Sequence, residues 1–160
     1  MTPEQKFLVR QSFVQILPLA DTVAELFYQR LFDLDPSLRG MFKGNMKTQG
    51  RKLMATLKMA IHFLDRLDEL IPVLQTLGQR HVGYGVTDAH YDTVAEALLW
   101  SLAWGLRDDF RPEVKDAWVE AYTLMAEVMK QAAHQVEDRA PTLHPNLQTY
   151  TLAEQNYPVF

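Results

Sequence analysis

Leu70 to Tyr91, LIPVLQTLGQRHVGYGVTDAHY, is the stretch around which the chain organises itself. Leu70, Val73, Leu74 and Leu77 recur at helical spacing and make one apolar stripe. His81 stands four residues after Leu77 and seven after Leu74, so the next inward position holds an imidazole instead of an aliphatic group. Gly83 and Gly85 follow, ending the helix and letting the chain turn. An imidazole aimed into a core at a helix end has two readings. The commoner is a packed, hydrogen-bonded residue; the other is a ring nitrogen offered to something bound inside. The stretch alone leaves both open.

The flanking sequence is helical throughout. Thr2-Pro3-Glu4-Gln5 is a capped helix start, and the helix runs to about Leu17, where Pro18 breaks it. A second helix spans Leu19 to Leu34, with Val23, Leu26, Phe27, Leu31 and Leu34 on its apolar face. Tyr28 sits at the edge of that face, and the residues alone read it as an amphipathic ring whose hydroxyl reaches solvent. Asp35-Pro36 opens a short third helix ending near Phe42, and Lys43 to Thr48 form a loop. A fourth helix runs from Gln49 to about Leu67 with Leu53, Leu57, Ala60, Ile61 and Leu64 inward. Gln49 reads as a first-turn glutamine that helps satisfy free backbone N–H groups, and Lys52 as a cation whose stem lies beside the stripe.

After the central stretch, Thr87 or Asp88 caps a helix to Leu106, lined by Tyr91, Val94, Ala95, Leu98, Leu99 and Leu102. Pro112 restarts a helix reaching Asp138, whose core face holds Val114, Trp118, Ala121, Met125, Val128, Met129 and Ala132. Its methionines read as core filling. From Ala140 onward Pro141, Pro145 and Pro158 forbid a continuous helix. Residues 1–139 thus form one domain, and 140–160 an extended tail, with docking through Tyr150, Tyr157 and Phe160 as the alternative. No repeats and no strands are expected.

Composition closes several routes. The chain has no cysteine, which excludes disulfides, thiolate ligands and thioether-linked pigments. A net charge of −4 without a basic patch interleaved with aromatics argues against nucleic acid and anionic lipid as partners. No run is long and apolar enough to span a membrane, and MTPEQKFLVR lacks a signal-peptide core, so a cytoplasmic location is expected.

Six or seven helices, with an inward histidine before a turn and two long helices after it, resemble the globin fold. This is an all-α, three-over-three helical sandwich, here with a C-terminal extension. Separated positions carry the resemblance across Thr2 to Ala133. Phe42, after DPSLRGM, matches the family's nearly invariant phenylalanine that packs on haem. His81, in LGQRH, matches the proximal iron ligand. Tyr28, in ELFYQRLF, and Gln49, in TQGRKLM, match the distal pair of bacterial single-domain globins and flavohaemoglobins. Leu53 matches the apolar distal residue one turn beyond Gln49.

The resemblance implies haem b (iron protoporphyrin IX) held by His81 and Phe42. Arg80 or Lys52 would pair with a propionate or remain solvated surface cations. It implies a five-coordinate ferrous form, because glutamine is a poor iron ligand. It implies dioxygen, nitric oxide and carbon monoxide as ligands, with Tyr28 and Gln49 donating hydrogen bonds that favour dioxygen. Tyr91, ten residues after His81, corresponds to a tyrosine beside the proximal imidazole that is hydrogen-bonded with a glutamate on the last helix. That glutamate falls here on Ala133, and Glu137 is one turn late, which weakens the case for peroxidase-like activity.

Three functions follow as expectations: reversible oxygen binding, nitric oxide dioxygenation to nitrate using a separate reductase, and ligand-responsive sensing through a partner. His62, 13 residues after Gln49 and on another face, cannot stand in for it, and His90, His134 and His144 are read as surface residues. The combined set of His81, Phe42, Tyr28 and Gln49 disfavours the haem-free stress sensors of this fold, and the missing cysteine disfavours its bilin carriers.

Overall fold

The structure, a computed structural model, describes residues 1–138. The described residues form six α-helices: α1 (Pro3–Ile16), α2 (Ala20–Leu34), α3 (Met46–His62), α4 (Leu67–Gly83), α5 (Asp88–Leu106) and α6 (Pro112–Asp138). Short 3-10 turns cover Leu17–Leu19, Pro36–Met41 and Arg107–Asp109, and no strand occurs among the described residues. The tail assigned to 140–160, with Tyr150, Tyr157 and Phe160, lies outside them, as does His144.

Local chemistry sets the helix ends. Thr2 and Gln5 close a reciprocal capping box, Thr2 N donating to Gln5 Oε1 at 2.9 Å and Gln5 N to Thr2 Oγ1 at 3.1 Å. Asp35 caps the next turn by accepting from Ser37 N at 3.1 Å, but that segment is a 3-10 turn instead of the expected short α-helix. The start of α3 differs more. Asn45 accepts from Lys47 N and Thr48 N at 2.8 and 3.2 Å, so the helix begins at Met46 and not at Gln49. Gln49 N then donates to Asn45 O at 3.0 Å, and the Gln49 side chain has no capping work to do. The same helix stops at His62, short of the expected Leu67. Asp65, in the bend that follows, pairs with Lys6 and Arg10 of α1 at 3.2 and 2.7 Å.

In α4 the buried stripe is Leu70, Leu74, Leu77, Gly78 and His81. Val73, expected on that stripe, is 41% exposed. The cause is Gly78. A Cβ there would lie 2.3 Å from the Met129 carbonyl oxygen, so α4 meets α6 on the Gly78 side and turns Val73 outward. Gly83 is the last helical residue, and the turn itself is made at Gly85, whose φ of +86° favours glycine.

Helix α4 also packs broadly on α6, α2 on α5 and on α3, and α1 on α6, giving the three-over-three all-α arrangement. Trp118 is fully buried, its Nε1 donating to Ser12 Oγ at 2.9 Å, and that hydroxyl donates to Leu8 O at 2.7 Å. No helix among the described residues is long and apolar enough to cross a membrane.

Candidate functional site

His81 is only 2% exposed. Its Nδ1 lies 2.6 Å from the carbonyl oxygen of Leu77. A carbonyl only accepts, so Nδ1 carries the proton, and the neutral ring presents its lone pair at Nε2. Burial favours that neutral ring and pushes the imidazole pKa down to about 4, although the Leu77 hydrogen bond works the other way. The ring stands between two tyrosines, 5.9 Å from Tyr84 and 6.5 Å from a nearly parallel Tyr91.

Two internal apolar spaces meet here. His81 lines one together with Leu31, Leu38, Met41, Phe42 and Val86. Phe27, Leu53, Leu57, Leu98, Met125 and Met129 bound the other, and Tyr91 and Val94 line both. Phe42 therefore shares a wall with His81, and Leu53 lies fully inside the same core.

Tyr28 is buried, 4% exposed, which corrects the reading of its hydroxyl as solvent-facing. Its ring packs edge-on against Phe27 and Phe42 at 4.9 and 5.3 Å, and Phe32 lies 6.1 Å away. Burial raises the phenol pKa above its ordinary value of 10, and the Gln49 side chain beside it offsets part of the rise. The two do not close a hydrogen bond. The Tyr28 hydroxyl and Gln49 Nε2 are both buried and without a partner among the described residues. Such groups cost about 1–3 kcal/mol each when left unmatched. They mark a place that suits a polar guest.

Tyr91 is buried as well, and its hydroxyl lacks a partner among the described residues. Tyr122 holds this residue by its backbone, donating to the Tyr91 carbonyl at 2.6 Å. Burial, aided by Asp88, pushes the Tyr91 phenol up to about 12. Ala133 on α6 is buried and brings no carboxylate. Lys52 and Arg80 are half-buried.

His90, expected at the surface, is half-buried and lines the same space as His81. Its Nδ1 accepts from Thr87 N at 3.0 Å, so it fills the third position of a capping box usually held by Glu or Gln. The spacing Thr87-x-x-His90 was the signal that could have found it. His62 and His134 are exposed, bonded to Arg66 and to Asp88 respectively.

Among the described residues no three His, Cys, Asp or Glu converge to hold a bare ion. His81 can offer one ligand, so a metal here would arrive with most of its coordination already supplied, as in a porphyrin. Its ring nitrogen, the Phe42 wall and the two unmatched donors at Tyr28 and Gln49 suit such a group.

Comparison with known proteins agrees. The sequence profile described as Globin matches residues 25–129. The chain is 31% identical over 132 residues to a flavohaemoprotein of Deinococcus radiodurans, covering 81% of this chain and 33% of that one. A Bacillus subtilis flavohaemoprotein is 30% identical over 127 residues, covering 75% and 32%. The chain thus spans about a third of the length of these flavohaemoproteins. An anaerobic nitrite reductase of Physcomitrium patens is 30% identical over 146 residues, covering 82% of this chain and 81% of that one. In three dimensions the chain resembles a hexacoordinated heme protein from an anhydrobiotic tardigrade. The TM-score is 0.76 at 14% identity, covering 84% of this chain and 96% of the other. With the matched profile spanning most of the helices that build the site, and the fold agreeing independently, this chain belongs to the globin family.

Proposed function

We propose that this chain is a haem b protein that reversibly binds dioxygen, and that it converts nitric oxide to nitrate when an external reductase supplies electrons. One observation carries the reading: Tyr28 O–H and Gln49 Nε2 are buried and unmatched among the described residues, and the Tyr28 ring packs on Phe42, which lines one space with His81. Haem, when bound, would supply an iron that His81 Nε2 can ligate and that can bind a diatomic gas.

The chain's residues divide the remaining work. Phe42 and Leu53 would pack on the macrocycle, and Lys52 and Arg80 are the candidates to meet its propionates. Tyr28 and Gln49 donate to dioxygen, which accepts hydrogen bonds better than carbon monoxide does, and their dry surroundings strengthen those bonds. On the other side, His81 Nδ1–H donates to the Leu77 carbonyl, which fixes the tautomer that can ligate through Nε2. Turnover needs an electron donor, proposed as a separate cytoplasmic reductase.

Absorption spectra of the purified protein, oxidised, reduced and gas-saturated, test the reading. A haem spectrum that His81→Ala abolishes or shifts is expected. Full pigment retention with unaltered bands in that variant would overturn it. Sustained nitric oxide consumption with a cellular reductant supports the enzymatic part. Accumulation of ferric protein after a single turnover removes that part.

A further inference from the structure

We propose that the outer face of α3, with the groove between α3 and α1, is the docking surface for a small acidic one-electron carrier protein. Helix α3 carries Lys47, Arg51, Lys52 and Lys58 and no Asp or Glu, in a chain whose net charge is −4. Lys47, Arg51 and Lys58 are exposed, and none of the four meets a carboxylate among the described residues. Lys47 and Arg51 are like charges one turn apart, and Lys47 stands in the first turn, where the helix dipole disfavours a cation. Both features weaken an isolated helix, and an anionic partner relieves both.

Next to these cations lies an apolar groove. Val14 is 63% exposed and Leu17 40%, and Met59 and Phe63 continue the surface. Arg10, Lys58 and His62 rim it. An apolar centre with a charged rim is the anatomy of a transient protein interface. Lys47, Arg51 and Lys58 form one stripe on α3, Asp65 and Glu69 stand beyond its end, and the rest of the chain is net acidic. A bilayer or nucleic acid, being an extended anion, would meet that acidic remainder as well, whereas a small acidic protein meets the stripe alone. The inner face of α3 bears Gln49 and Leu53, so a partner on the outer face sits one helix thickness, about 10 Å, from the distal pocket. That the carrier is a redox protein rests on the haem reading above; the charge complementarity does not.

The test titrates the full chain with an acidic [2Fe–2S] ferredoxin and with a flavodoxin, by calorimetry across ionic strength. Binding to at least one carrier at low salt is expected, weakening as salt screens it. R51E/K58E should bind at least tenfold more weakly with an unchanged haem spectrum, and R51Q/K58Q should fall between. The neutral pair also serves if the reversed pair fails to fold. Unchanged affinity in the variants, or no binding of either carrier at low salt, overturns the proposal. Equally tight binding of phosphatidylglycerol vesicles through the same residues also overturns it. Because heat of association is the readout, a chain that holds no haem still tests this face. A chain with a normal haem spectrum and no carrier binding sinks the docking surface alone.

Discussion

The Nδ1 atom of His81 lies 2.6 Å from the carbonyl oxygen of Leu77, one helical turn back. That contact fixes the tautomer, and burial fixes the charge. The unfolded imidazole titrates near 6.5, the folded one at about 4. Between these values the unfolded chain takes up a proton that the folded chain refuses. Stability from this group is therefore complete above pH 6.5 and is lost as pH falls toward 4, by about 3 kcal/mol in all. Urea denaturation of the haem-free chain at pH 7 and at pH 4.5 should show the fall. His81→Phe should remove this part of the slope, and an identical slope in the variant would contradict the assignment.

Tyr28 separates stability from function. Its hydroxyl is buried without a partner, so Tyr28→Phe removes a group that costs the fold about 1–3 kcal/mol. The variant should be as stable as the parent or more so. At the same time it loses a donor to dioxygen. A hydrogen bond of about 1.5 kcal/mol corresponds to roughly tenfold faster release, with faster autoxidation. Stopped-flow release and a denaturation curve on one sample give both signs. An unchanged release rate would remove Tyr28 from the distal side.

Much of this architecture was legible in the sequence because it rests on period and punctuation. The stripe through Leu70, Leu74, Leu77 and His81 and the turn at Gly85 needed no tertiary information. Val73 was misplaced because only the close crossing of Gly78 on Met129 decides which edge of the stripe is covered. The start of α3 was missed because Asn45 was read as loop, although Asn is a strong N-cap. Tyr28 and Gln49 illustrate the limit for sites. Their residue types gave an amphipathic tyrosine and a capping glutamine, and family resemblance alone paired them. The structure adds that both polar groups are buried and unmatched. His90 was hidden because histidine in a capping box is an unusual choice.

Tyr91 should behave differently from its neighbour Tyr122. The Tyr91 hydroxyl has no partner among the described residues, and Ala133 offers no carboxylate. Tyr91→Phe should therefore leave stability unchanged or raise it, and leave the iron–histidine stretching frequency, read by resonance Raman, essentially unchanged. Tyr122→Phe removes the 2.6 Å bond to the Tyr91 carbonyl and should cost about 1 kcal/mol. A marked frequency drop in Tyr91→Phe would mean that the tyrosine does couple to His81. In the opposite direction, Ala133→Glu should raise the frequency by adding a carboxylate to the proximal side.

Gly78 gives the most direct mechanical prediction. A Cβ at this position would lie 2.3 Å from the Met129 carbonyl oxygen and 2.7 Å from its Cα, both of them backbone atoms that cannot rotate away. Gly78→Ala must separate α4 from α6 or tilt one against the other. Overpacking of this kind costs about 1–3 kcal/mol, more than alanine's better helix propensity returns, which is about 1 kcal/mol. The displaced segment carries His81 three residues on and Leu77 one residue back, so the imidazole moves with it. Lower urea midpoint and faster transfer of haem to an acceptor globin should appear together. Gly40 is the control, since a Cβ there meets nothing within 4 Å, and Gly40→Ala should alter neither quantity. A Gly78→Ala variant as stable and as retentive as the parent would mean that the helices yield at this crossing, and that His81 is not positioned by it.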